Sequence, residues 1–159
     1  MSEELTHLDA DGRPRMVDVG DKPNTDRVAV AEARITMSDK AREAILGGKV
    51  TKGDVLRIAE LAGVQGCKRT SDLIPLCHPL PIDGVDVRAN VVEDGVHIQA
   101  TVRAHWKTGV EMEALAAVTA AALTVYDCTK AIDKAMVIHG VRLLSKRGGR
   151  SGDYQAPPG

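Results

Sequence analysis

Two alternating runs constrain this chain most. Val85, Val87, Ala89 and Val91 alternate with Asp86, Arg88 and Asn90, and Val96, Ile98, Ala100, Val102 and Ala104 alternate with polar residues from His97 to His105. Glu93-Asp94-Gly95 lies between them as a turn signal. Side chains on a strand point to opposite faces in turn, so this pattern predicts a β-hairpin with one buried face. His97 falls on the solvated face. Ala29 to Met37 repeats the period of two and predicts another strand. Ser38 is a suitable N-cap for a short helix over Asp39 to Leu46, which Gly47-Gly48 ends. A second helical run follows Lys52-Gly53-Asp54, with Val55, Ile58, Leu61 and Ala62 on one face. Gly63 and Gly66 within it permit close packing. A long helix from about Val110 to Ile132 has the apolar stripe Leu115, Val118, Ala122, Val125 and Thr129, and a last strand spans Met136 to Leu144. The order is βαββαβ. It predicts an α+β fold, a ferredoxin-like sandwich with an antiparallel sheet and helices packed on one face. The other face is left open to burial by another subunit.

A chain of 159 residues is expected to form one domain. We divide it into an N-terminal arm (residues 1–25), a catalytic domain (26–154) and a disordered tail (155–159). With 2% aromatics and no Phe, the core must be aliphatic and Ala-rich. A net charge of -1 gives no global basic field for a nucleic acid, and there is no set of aromatics on which bases stack. Three Cys without a Cys-x-x-Cys spacing fit a reducing compartment. The polar first residues lack the apolar core of a signal peptide, and Ala114 to Val125 is too short and too rich in Ala and Thr to span a bilayer. A cytoplasmic protein, off the membrane, is expected.

Lys68 to Pro81 (KRTSDLIPLCHPLP) carries most of the candidate chemistry. Prolines at 75, 79 and 81 keep it out of helices and central strands, leaving a stiff loop that aims its side chains or a Pro-rich connector. Cys77-His78 admits three readings: metal ligands, a nucleophile with its base, or a His aimed at a phosphate or ring with Cys packed beside it. The third needs no further residues, whereas zinc wants a second pair. Cys67 and Cys128 read as core residues. Asp127 and Lys130 are neighbours on one helical face, either a surface ion pair or an acid/base pair. Glu113 lies fourteen residues before Asp127, about 21 Å along the axis. The two can serve one site only if the ligand is long or two subunits build it. Lys52, Lys68, Arg69, Lys146, Arg147 and Arg150 lie beside glycines or at element ends, a set that fits a small phosphorylated ligand. No GxxxxGK[ST] or GxGxxG motif is present.

Met16 to Val19 (MVDV), Lys52 to Val55 (KGDV), Lys68 to Pro79, Lys107 to Leu115 (KTGVEMEAL) and Lys146 to Gly152 together resemble the molybdenum cofactor biosynthesis protein C family, MoaC. The resemblance runs from about Leu5 to Tyr154. It implies a synthase that converts 3′,8-cyclo-7,8-dihydro-GTP to cyclic pyranopterin monophosphate and releases pyrophosphate. It also implies a homo-hexamer, a trimer of dimers, with the site at a subunit interface. By position, Asp127, Lys130 and Lys52 are the implied catalytic residues. Leu76, Cys77, His78, Met112 and Glu113 are implied to contact substrate, and Lys68 and Arg69 to hold its triphosphate. No cofactor or protein-held metal is expected. The chain departs from the pattern in two places. Asp127-Cys128-Thr129-Lys130 replaces Asp-Met-Cys-Lys with the spacing kept, and His105-Trp106 replaces Thr-Gly where the chain enters the long helix. The competing classes are a nucleotide-binding regulatory domain and a thiol-dependent transferase using Cys77.

Overall fold

A computed structural model describes residues 7–158. The first six residues of the expected arm and Gly159 of the expected tail lie outside it. Strand β1 (Thr25–Thr36) leads to α1 (Asp39–Leu46), α2 (Val55–Lys68) and the single turn α3 (Thr70–Leu73). The hairpin follows as β2 (Gly84–Val92) and β3 (Gly95–Trp106). Then come α4 (Glu111–Thr129), β4 (Val137–Arg147) and the short β5 (Tyr154–Gln155). The sheet order is β2-β3-β1-β4-β5, with every pairing antiparallel. The first four strands have the order expected for a ferredoxin-like sandwich.

Local chemistry sets the element ends. The Ser38 side chain accepts from the Ala41 N–H to cap α1, and the Asp54 side chain accepts from Arg57 to cap α2. The hairpin closes with Val92 opposite Gly95, where any Cβ would run into the Ile35 carbonyl. The alternating residues behave as their period requires. Val96, Ile98, Ala100, Val102 and Ala104 are buried, as are Ala29, Ala31, Ala33 and Ile35. Each large aliphatic among them contributes about 1.5–3 kcal/mol on burial.

Helix α4 lies over this face and buries Ala114, Ala117, Val118, Ala121, Ala122 and Val125. Its small residues let α2 come close. A Cβ built at Gly66 would stand 2.5 Å from the Ala120 Cβ, and one at Gly63 would stand 2.9 Å from Val87.

Four details differ from the sequence reading. Leu61 points to solvent, because α2 buries the face of Val55, Ala59, Gly63 and Cys67 instead. Ser145, Lys146 and Arg147 continue β4 past its expected end at Leu144. Gln155, placed in the disordered tail, pairs with Ser145. His97 is not merely solvated. On the helix-free face it donates to Glu32 at 2.7 Å, and Arg142 donates to the other Glu32 oxygen at 2.8 Å. Burial works to raise the Glu32 carboxyl, but the two hydrogen bonds outweigh it and hold it below its ordinary value. The rest of that face carries exposed Arg34, Arg88, Gln99 and Arg103, so the apolar side of the sheet is the one the helices cover. Among the described residues, no helix is long and apolar enough to cross a membrane.

The close α2–α4 approach yields a prediction. Gly66→Ala adds about 0.5–1 kcal/mol of helix preference but overpacks the contact at a cost of about 1–3 kcal/mol. Urea denaturation should show a net loss of about 1–2 kcal/mol, whereas Gln65→Ala, one residue away on the exposed side, changes little.

Candidate active site

Helix α4 carries a cluster at each end. At its C-terminal end, Asp127 is gripped by two lysines. Lys130 reaches one carboxylate oxygen at 2.7 Å, as its i, i+3 spacing allows, and Lys52 reaches the other at 2.6 Å. Lys52 also donates to the Asp127 backbone carbonyl at 3.1 Å. Lys52 stands on the turn before α2, where Gly53 takes φ of 103°, a conformation that favours glycine. All three side chains are about half exposed. Hydrogen bonds from Lys130 and then Lys52 hold the Asp127 carboxyl at about 2. The Lys130 ammonium is pushed up in return, chiefly by its hydrogen bond to Asp127. At neutral pH Asp127 is therefore ionised and Lys130 protonated, with Lys52 on the other carboxylate oxygen. A carboxyl at about 2 is a weak base near pH 7. In the free chain Asp127 aligns two cations, and those cations are ready for an anion.

At the N-terminal end of α4, Leu76, Cys77 and His78 meet Met112 and Glu113 around a cavity of about 230 Å³. The proline segment positions them: Thr70 accepts from the Ile74 N–H, and Ile74 accepts from the Cys77 N–H at 3.1 Å. His78 donates from Nε2 to the Val17 carbonyl at 2.7 Å. That bond places a ring proton on Nε2 and ties the N-terminal arm to the site. Glu113 is only 3% exposed. Its Oε1 accepts from the Cys77 thiol at 3.7 Å, while Oε2 is buried with no partner among the described residues. Burial pushes the Glu113 carboxyl up, against the opposing pull of its own backbone N–H and the Cys77 thiol. Burial and the Glu113 charge push the Cys77 thiol up to about 11. A neutral thiol at pH 7 is a poor nucleophile, which counts against the transferase reading.

The structure does not bring Lys68 and Arg69 to either cluster. Arg69 pairs with Asp72 at 3.2 Å, and Lys68 lines a separate slot of about 460 Å³ beside Val64, Leu80 and Ile82. Lys146 is better placed than its position in the basic set indicated. It pairs with Glu111 at 3.2 Å and also reaches Ser151. Glu111 lines the Cys77 cavity and a larger one of about 680 Å³ beside Arg142 and Tyr154. A Glu opening a helix was the only sequence signal for it; nothing in the spacing pairs it with a lysine 35 residues on.

Neither departure adds a side chain to the hydrogen bonds of the ion trio. Cys128 and Thr129 are buried in the core. Trp106 packs on the core at the end of β3 rather than over the site, and His105 pairs with Asp26 at 2.7 Å.

The MoaC family model matches residues 16–149. The chain belongs to the MoaC family. Relatives include proteins named cyclic pyranopterin monophosphate synthase from three organisms. That of Chloroflexus aurantiacus is 54% identical over 97% of this chain and 96% of its own. That of Novosphingobium aromaticivorans is 52% identical over 96% and 98%, and that of Deinococcus radiodurans 54% over 96% and 90%. In this MoaC chain both α4 clusters fall within the matched span.

The raised thiol gives a direct check. Alkylation of Cys77 by iodoacetamide should be slow at pH 8 and climb with pH until the thiol titrates near 11. A rate that levels off by pH 9 contradicts the buried, carboxylate-facing thiol described above.

Proposed function

We propose that this chain is a cyclic pyranopterin monophosphate synthase acting in molybdenum cofactor biosynthesis, with 3′,8-cyclo-7,8-dihydro-GTP as its substrate. The observation that carries this reading is Asp127 held between Lys52 and Lys130 in a MoaC-family chain. The reaction closes a pterin, forms a cyclic phosphodiester and expels pyrophosphate. Negative charge builds on the departing pyrophosphate, and two aligned ammonium groups stabilise that charge as it develops. Substrate phosphates compete with Asp127 for the lysines. Once Asp127 is freed from one of them its basicity rises, and it can exchange protons with the rearranging ring.

In this reading Asp127, Lys130 and Lys52 are catalytic. Leu76, Cys77, His78, Met112 and Glu113 hold the substrate's ring end. Lys68 and Arg69 fit a triphosphate role only if the ligand reaches them from another chain, since they lie apart from both clusters. The separation of about 21 Å along α4 supports a site shared by two subunits, the Glu113 end of one facing the Asp127 end of the other. We place that pair in a cytoplasmic hexamer, a trimer of dimers.

Purified protein incubated with enzymatically made 3′,8-cyclo-7,8-dihydro-GTP should release pyrophosphate and pterin product in equal amounts. Asp127→Asn and Lys52→Ala should each lower kcat by about 100-fold or more with an unchanged melting curve. Tight binding without either product would favour the nucleotide-binding regulator instead.

A further inference from the structure

Helix α4 stops without the residue that most often stops a helix. From Lys130 to Met136 the chain reads KAIDKAM, with no glycine to take a left-handed turn. Lys130 closes α4 in a helical conformation, with φ of -57° and ψ of -23°. The Thr129 carbonyl then accepts two N–H donors, Ile132 at 2.8 Å and Asp133 at 3.2 Å. These bonds turn the chain, but they tie the turn only to its own helix.

The Asp133 side chain ties it to another element. Its Oδ2 accepts from the Ser38 N–H at 2.8 Å, across 95 residues, and its Oδ1 accepts from the Ala135 N–H at 2.9 Å. Those backbone donors, Ser38 first, hold the Asp133 carboxyl below its ordinary value, so both bonds stay charge-assisted at neutral pH. Ser38 caps α1, and from α1 the chain runs through Gly47-Gly48 to Lys52. Residues 38–52 are therefore fastened to the end of α4 at both of their ends, Ser38 to Asp133 and Lys52 to Asp127. The two lysines that grip Asp127 come from these two segments, and Asp133 joins the segments directly. A lysine is a point charge on a flexible stem, so its ammonium holds one position only if the backbone beneath it is held.

We infer that Asp133 is a positioning residue for the Asp127 trio: by joining the turn after α4 to the start of α1, it keeps Lys130 and Lys52 on the two oxygens of one carboxylate. Its effect on turnover rests on the proposed synthase reading. Its effect on the geometry of the trio does not.

Asp133→Ala removes both acceptors, and Asp133→Asn keeps one. With 3′,8-cyclo-7,8-dihydro-GTP, kcat should fall about tenfold or more in Asp133→Ala, and less in Asp133→Asn, with KM within about threefold, as expected when aligned groups are slightly displaced. Titration of the Asp127 carboxyl, followed by NMR, reads the geometry without substrate. It should fall at about 2 in the wild type and move up in Asp133→Ala as the lysines leave the carboxylate. If Asp133→Ala does not fold, Asp133→Asn carries the same test. Variants that only melt earlier, with wild-type kcat and an unmoved Asp127 titration, overturn the inference. A fall in kcat without movement at Asp127 overturns it as well. A moved Asp127 titration in a protein whose wild type makes no pterin product leaves the positioning role standing and removes the proposed reaction.

Discussion

The contact between α2 and α4 is the constraint on which the remaining geometry depends. Gly63 and Gly66 have no Cβ where Val87, Ala116, Ala117 and Ala120 come against them. On its other side α4 meets a sheet face built largely of alanines, with Ala29, Ala31, Ala33 and Ala100 fully buried. A core with no Phe gains little from each side chain, so its stability comes from many close backbone approaches. Such an interface has little room to adjust, and α4 is therefore held as a rigid axis. A single added methyl group at Gly66 would press directly on that axis.

Both clusters inherit their positions from the axis. Asp127 and Lys130 lie on its last turns, and the turn that carries Lys52 is fixed by the start of α2, the helix packed alongside. At the other end Glu113 is buried and accepts from Cys77 of the proline segment. The two ends differ electrostatically in the way that opposite ends of a nucleotide-like ligand require. One end is exposed and sets two lysines against one carboxylate. At the other, a small cavity is lined by Glu111 and Glu113, with Lys146 paired to Glu111. A helix of this length separates the ends by about 21 Å, too far for one chain to place both on the same reacting atoms.

Much of this was legible in the sequence because it depends on local periodicity. The alternation in β2 and β3 predicted their buried faces residue by residue, and the i, i+3 spacing placed Asp127 beside Lys130. The inward turn of α2 was harder to read. Leu61 is the more hydrophobic residue, but the close approach to α4 selects the glycine face, so Leu61 is exposed. Pairings across the sheet were hidden for a different reason. His97 meets Glu32 across 65 residues and Arg142 meets it across 110, and nothing local in the chain encodes these contacts. Lys52 meets Asp127 over 75 residues. Its place beside Asp127 came from resemblance to MoaC proteins, because the sequence pattern alone marked only a lysine next to a glycine. The unpartnered oxygen of Glu113 could not be read before its surroundings were known.

The central claim is that the Glu113 end of one chain and the Asp127 end of another make a single site. Mixing Glu113→Gln protein with Asp127→Asn protein under conditions that exchange subunits tests it most directly, with mixed assembly verified by native mass spectrometry. Two inactive parents should then give about a quarter of wild-type activity, because half the pairs are mixed and each mixed pair has one intact site. Mixed assemblies as inactive as their parents would contradict the account, since both ends would then have to act within one chain.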